Sequence, residues 1–401
     1  MRRVAVTGVG VVSALGIGRE AHFAGLREGR CGIGPLAIPD AERLSAAIGA
    51  PAPMRSEDHF SKAEIALLDR TTQLALLAAR EAMDDSGLEI DETLSLKAGV
   101  AVGTALTGME TVEASYRAVF EEGRNRVHPF VVPRLMTNAG ASQISMAHGL
   151  KGPAFTVSTA CSSSNHAIGQ AFHLIRGGGA DVMLAGGAEA PLHFGVIKAW
   201  EGLRVMSRDG CRPFCATRNG MVQGEGAAIL VLEEMARANA RGARIWGEIA
   251  GFGMSADAGD IVQPSVDGAA RAIRLAMADA GLSPEDVDYI NAHGTATAVN
   301  DRTECAAIRA VFGAAADRLS VSSTKSAHGH CLGAAGALEM AATLLALSEG
   351  LAPPTVGHQS PDPACDLDVT PNVARRREIR AALSNSFAFG GLNAVLAARR
   401  A

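Results

Sequence analysis

The stretch FTVSTACSSSNHAIGQAFHLIRGG, residues 155–178, decides how the chain is read. A short β-branched run ends at Ala160. Cys161 and three serines follow, and then an apolar pattern with helical spacing. The same order returns in LSVSSTKSAHGHCLGAAGALEMAATLLALSEG, residues 319–350, where Val321 falls on Val157 and Lys325 on Cys161. Further on, VQGEGAAILVLEE (222–234) parallels FAFGGLNAVLAAR (387–399), each a glycine pair leading into a strand. The repeat predicts two similar α/β units, residues 1–245 and 246–401, with a site between them drawing residues from both.

The rest of the chain agrees with α/β layering. RVAVTGVGVV reads as a buried strand, TTQLALLAAREAMDDSG as a helix stopped by glycine, and AGVAVGT and DVMLAGGAEA as strands. The segment AAIRLAMADAGLSPEDVDYINAHGT reads as helix, turn and strand. With 401 residues, 48% hydrophobic and 20% charged, the chain can bury a large core. The net charge of −5 gives no basic footprint for nucleic acid. No apolar run is expected to reach the roughly 18 residues of a membrane span. The start, MRRVAVTGVGVV, reads as strand and turn rather than a secretion signal, so a cytoplasmic location is expected. The seven cysteines are scattered and odd in number, which argues against a disulfide framework. Cys211 and Cys215 are too few ligands for a zinc site.

Four segments place reactive or glycine-flanked residues at expected strand ends. They carry Cys161, His293, the pair Lys325 and His330, and Phe389. A cysteine at a helix N-terminus is favoured as thiolate by the helix dipole, and its pKa is expected to fall toward neutrality. A buried structural cysteine is the competing reading, and this segment alone does not choose between them. His166, His173, His193 and His358 read as structural, whereas His293 and His330 sit in loops of small residues.

Taken in order, TACSSS, NAHGTAT, SSTKSAHGHCLGAAGALE and SNSFAFGG resemble the motifs of the β-ketoacyl-acyl carrier protein synthases, condensing enzymes of the thiolase fold. The resemblance runs over essentially the whole chain. It implies a five-layered α-β-α-β-α architecture of two pseudo-duplicated halves. It implies decarboxylative condensation of an acyl chain held on Cys161 with malonyl-acyl carrier protein, assisted by His293 and His330 and ordered by Lys325. The backbone N–H groups of Cys161 and Phe389 would form the oxyanion hole, with Phe389 also a gate. Thr295 and Thr297 would bind phosphopantetheine, and Asn291, Glu339, Ser384 and Asn385 match a structural cation site of some relatives. No cofactor is required. The implied partners are acyl carrier protein and a second ketosynthase-like subunit, identical or related.

Leu106, Met109, Val131 and Val132 are expected as acyl-pocket walls, the two valines across a dimer interface. Arg124, Arg126 and Arg204 are expected to dock the acidic carrier. The sequence also departs from the housekeeping pattern, with Ala388 for glycine, Leu392 for threonine, Val299-Asn300 for Ala-Gly, and Cys215 and Asn219 for acidic residues. Ala66 and Leu67 stand where relatives carry basic docking residues. These departures point to a specialised pathway, such as a polyketide, aryl polyene or nodulation-type lipid. Two alternatives compete. A non-catalytic chain-length factor usually lacks the cysteine. A CoA-dependent thiolase carries a second cysteine in the C-terminal glycine-rich loop, which SFAFGGLN does not contain.

Overall fold

The computed structural model describes residues 1–401. Ten strands form its frame: β1 (Val4–Ser13), β2 (Ala98–Gly103), β3 (Ala154–Val157), β4 (Val182–Glu189), β5 (Gly226–Glu234), β6 (Gly247–Ala256), β7 (Tyr289–Asn291), β8 (Ser320–Ser322), β9 (Ala381–Ala388) and β10 (Leu392–Arg399). The first five lie in the order β3-β2-β4-β5-β1, and the last five in the order β8-β7-β9-β10-β6. Each set has three parallel strands followed by two antiparallel ones. The repeat in the sequence is therefore a repeat in topology. The sets join where Val4–Val6 of β1 pair with Gly247–Ile249 of β6.

Six helices complete the layers: α1 (Arg70–Ser86), α2 (Ala139–His148), α3 (Ser163–Arg176), α4 (Val266–Ala280), α5 (Ala298–Phe312) and α6 (Ala335–Glu349). Helices α1 and α2 cover the outer face of the first sheet, and α4 and α5 that of the second. Helices α3 and α6 lie between the sheets in the largest buried cluster, which gives five layers. Local chemistry explains the elements. Asp69 caps α1 by accepting the Thr71 N–H at 3.0 Å, and Gly87 ends it in the left-handed region. Gly10 lets α1 approach β1, because a Cβ there would lie 1.9 Å from the Ala78 carbonyl oxygen.

One segment exceeds the expectation of no spanning run. Leu332–Glu349 is 18 residues long and apolar enough to cross a membrane by length and composition. It contains α6, every residue of which from Ala335 to Leu347 is buried. Its apolarity on all sides fits a helix packed by protein on all sides.

Candidate active site

Cys161 follows β3 in the first set of strands, whereas His293, Lys325 and Phe389 follow the ends of β7, β8 and β9 in the second, so the site draws on both halves. Cys161 follows β3 through a strained corner. Ala160 holds φ 51°, a left-handed conformation costly for a residue with a Cβ. The serines after Cys161 tie the corner down. The Ser162 hydroxyl donates to the Thr159 carbonyl at 2.8 Å, and the Ser163 hydroxyl donates to the Ala160 carbonyl at 2.6 Å. Ser163 Oγ also accepts the Thr159 N–H at 2.9 Å. Cys161 thus stands one residue ahead of the capping position of α3, at the wall of a cavity of about 390 Å³.

His293 and His330 line the same cavity, with ring centroids 5.5 Å apart and planes at 85°. His330 Nε2 lies 3.2 Å from Cys161 Sγ. Its main chain is pinned on both sides: the N–H donates to the Val222 carbonyl at 2.7 Å, and the carbonyl accepts from Gly224 N–H at 3.0 Å. Behind them Lys325, fully buried, donates to the His293 carbonyl at 2.5 Å and pairs with buried Glu339. Glu304 of α5 accepts the N–H groups of His293 at 2.8 Å and Gly294 at 2.7 Å.

The electrostatics differ from the sequence expectation at Cys161. Burial is the largest influence, and it pushes the thiol up to about 12 against the opposing charge of Lys325. Desolvation of the thiolate outweighs the helix end. The thiol is therefore protonated at neutral pH and needs a base. Burial, reinforced by the Lys325 charge, holds both His293 and His330 well below the usual imidazole value. Each is neutral at pH 7, so His330 has a free nitrogen for a proton and both rings can serve as uncharged N–H donors. The Nδ1 atoms of both rings are buried without a hydrogen-bond partner.

Thr295 and Thr297 line the cavity with their hydroxyls 2.9 Å apart. Ala296 between them holds φ 64°, and its carbonyl accepts from the Gly220 N–H at 3.0 Å. Arg218 lies beneath, donating to the carbonyls of Thr297 at 3.4 Å and Ala298 at 3.2 Å while pairing with Asp362 at 2.7 Å. Phe389, half-buried at the turn between β9 and β10, stacks on Trp200 at 5.8 Å and 24°.

Asn291, Glu339 and Ser384 come together behind the histidines, and the amide of the neighbouring Asn385 donates to Glu304 at 3.1 Å. Asn291 pairs with Ser384 across β7 and β9, and its amide donates to the Glu339 carbonyl at 3.3 Å. One side-chain oxygen of each of the four is buried without a partner: Asn291 Oδ1, Glu339 Oε2, Ser384 Oγ and Asn385 Oδ1. Carboxylate, amide and hydroxyl oxygens are the donor types a hard cation takes.

Arg204 lies at the cavity mouth, exposed. Leu106, Met109, Val131 and Val132 do not line this cavity, and Val132 is open to solvent. Arg124 and Arg126 are exposed away from it, with Arg124 paired to Glu122. Glu304, Arg218 and Trp200 carry no signal in the sequence. They reach the site only through the packing of α5, of the helix Phe194–Gly202 and of the loop before β5.

The family model described as Beta-ketoacyl synthase, N-terminal domain, matches residues 1–238, and the model of its C-terminal domain matches residues 246–359. The chain is 52% identical to Nodulation protein E of a Rhizobium species, over 100% of this chain and 99% of the relative. It is 42% identical to 3-oxoacyl-[acyl-carrier-protein] synthase 2 of Staphylococcus aureus, over 98% and 97%. Among solved structures, the ishigamide ketosynthase/chain length factor superposes with a TM-score of 0.95 at 38% identity, covering 100% of this chain and 99% of the other.

Proposed function

The chain belongs to the β-ketoacyl synthase family, and from that premise we propose how its own residues perform the condensation. The reaction joins an acyl chain to the two-carbon unit of malonyl-acyl carrier protein, with loss of carbon dioxide. Cys161 is the acyl acceptor. The observation that carries this assignment is the 3.2 Å approach of neutral His330 to a protonated, buried thiol.

In the first half-reaction the Cys161 proton moves to His330 Nε2 as sulfur attacks the incoming thioester. The bond to the carrier sulfur breaks, and that sulfur leaves with the proton. The backbone N–H groups of Cys161 and Phe389 stabilise the oxyanion formed between these steps. Once acylated, Cys161 has no proton to give. His330 then exchanges its ring proton with solvent to reach the Nε2–H tautomer, and it joins His293 in donating to the malonyl thioester carbonyl. Carbon dioxide departs, the resulting enolate carbon attacks the acyl carbon, and Cys161 leaves as thiolate, which takes up a solvent proton to restore the thiol. Uncharged donors suit this step, because they stabilise developing charge without protonating it outright. Lys325 holds the His293 backbone, and its charge adds to burial in keeping both rings neutral.

Thr295 and Thr297 hold the phosphopantetheine arm, and Arg218 supports their loop from below. Arg204 is the carrier-facing cation at the mouth, with Arg124 and Arg126 as outlying docking charges. Residues 1–245 and 246–401 act as the two halves whose junction forms the site. Asn291, Glu339, Ser384 and Asn385 would hold a structural cation, whose charge would offset the buried Glu339 carboxylate without taking part in bond making. Glu304 stands beside this group.

The partner is a second ketosynthase-like subunit, seated against β3. That strand is the outer edge of its sheet, and Tyr116, Phe120, Phe130 and Val132 are exposed apolar side chains. In this arrangement Leu106, Met109, Val131 and Val132 would wall an acyl tunnel completed by the partner. The pathway is a specialised one, supported by the nodulation protein at 52% identity and by the departures at Val299-Asn300 and Ala388. The test is product analysis with a panel of acyl-carrier thioesters and malonyl-carrier. Formation of β-ketoacyl-carrier supports the reading. Acetoacetyl-CoA cleavage without any malonyl requirement would replace it with a thiolase.

A further inference from the structure

Trp200 stands against the residue whose main-chain N–H completes the oxyanion hole, and no bond-making step uses it. Its ring stacks on that of Phe389, with centroids 5.8 Å apart and planes at 24°. Both side chains are half-buried, and both line the cavity on whose wall Cys161 stands. Few contacts separate them from the nucleophile. Phe387, two residues before Phe389 on β9, meets His293 edge-on at 6.0 Å, His293 meets His330 at 5.5 Å, and His330 Nε2 lies 3.2 Å from Cys161 Sγ.

The two stacked rings are held in different ways. Trp200 belongs to the helix Phe194–Gly202, which is fastened by residues that do not line the cavity. The Glu201 carboxylate accepts the N–H groups of Ser45 at 2.5 Å and Ala46 at 2.8 Å, Lys198 donates to the Arg43 carbonyl at 2.9 Å, and Glu113 accepts the Gly195 N–H at 3.1 Å. Phe389 stands instead at a turn, ahead of Gly390 at φ 82° and Gly391 at φ 69°, where glycine lets the chain reverse. The flanks of the turn are tied: Ala388 pairs with Leu392, and the Gly390 N–H donates to the Ile261 carbonyl at 2.8 Å. The Phe389 N–H donates to no main-chain carbonyl and is left open to a ligand oxygen. The ring stack is what ties Phe389 to the anchored helix.

We propose that Trp200 is a positioning residue that clamps the Phe389 turn, so that the Phe389 N–H faces the thioester carbonyl during acyl transfer to Cys161. The proposal rests on the reading of Cys161 as acyl acceptor and of Phe389 as oxyanion donor. Such a donor is effective when it is in place before charge develops, since it then needs no reorganisation at the moment of reaction. A flat ring suits the task, because a stacked aromatic pair adds attraction beyond the area it buries. On that scale, loss of the stack shifts the turn from its held toward its released position by about threefold to tenfold.

Two reactions of Cys161 separate the clamp from damage to the nucleophile. Acylation by an acyl-carrier thioester passes through an oxyanion, whereas alkylation by iodoacetamide displaces iodide and forms none. Both need the same thiol, and both are followed by intact mass. Trp200→Leu keeps an apolar side chain without a flat face, and Trp200→Phe keeps the flat face. At saturating thioester the Leu variant should acylate about threefold to tenfold more slowly, with alkylation within about twofold of the unaltered enzyme. The Phe variant should recover most of the lost acylation. Phe389→Leu retains the main-chain N–H but removes the stack from the other side, and it should show the same selective loss. An unchanged acylation rate in Trp200→Leu, an equal fall in both reactions, or no recovery in Trp200→Phe overturns the proposal. If Trp200→Leu does not fold, an absent or unselective loss in Phe389→Leu overturns it instead. An unaltered enzyme that takes up no acyl mass at Cys161 would remove the underlying reading, so the two failures are distinct.

Discussion

Lys325 Nζ donates to the carbonyl oxygen of His293 at 2.5 Å, so the one buried ammonium in the site grips the backbone of a histidine rather than the substrate cavity. Its charge acts through position. Lys325→Ala should lower condensation by roughly a hundredfold or more, the scale of losing a preorganised electrostatic group. It should also cost about 3–5 kcal/mol of stability, because Glu339 is left buried without its partner. Steady-state kinetics and urea denaturation check the two effects. Full activity with a normal midpoint would contradict the placement.

The histidines give a pH prediction with a definite sign. His22, His293, His328 and His330 are all buried, and burial lowers each below the usual imidazole value. They stay neutral in the fold, whereas the unfolded chain takes up protons as pH falls below about 6.5. The stability they contribute is thus present above that pH and lost as pH falls from about 6.5 toward the lowered folded values. His22 is not catalytic and bonds to Ser13 Oγ at 2.8 Å. Its change to Gln should flatten the stability-pH slope below pH 6.5 by about 1.4 kcal/mol per pH unit. Condensation should show no histidine ionisation near 6.5, the histidine limb lying lower.

The four orphaned oxygens predict ion dependence. Melting temperature should rise with potassium or magnesium relative to a bulky organic cation at equal ionic strength, by mass action on the folded state. Ser384→Ala or Asn385→Ala should abolish the difference. Equal melting in all salts would leave those oxygens to water.

Arg204, exposed at the mouth, predicts a carrier effect without a chemical one. Arg204→Glu should raise KM for acyl-carrier substrates by about threefold to tenfold, with weaker salt dependence and nearly unchanged kcat. The same change in kcat alone would contradict a docking role.

The pairing of Val157 with Val321 and of Cys161 with Lys325 made the two halves legible in the sequence, because a repeated strand-corner-helix pattern is local. The site residues on those corners were legible for the same reason. Glu304 and Arg218 were not, since each acts by reaching another chain segment through the core, and nothing in local spacing records such contacts. The direction of the Cys161 shift was missed on similar grounds. The helix end is visible in sequence, but the depth of burial that overrides it depends on both halves packing together. Leu106 and Val131 stand apart from the cavity, because the course of residues 104–135 around the site is set by tertiary packing that local spacing does not record.

The central claim is that Cys161 carries the acyl chain. Incubation with an acyl-carrier thioester, without malonyl-carrier, should add one acyl mass to the intact protein, located on the peptide bearing Cys161. Cys161→Ala should remain unmodified and form no β-ketoacyl product. Elongation by the Cys161→Ala variant, or acyl mass on a different residue, would contradict the account.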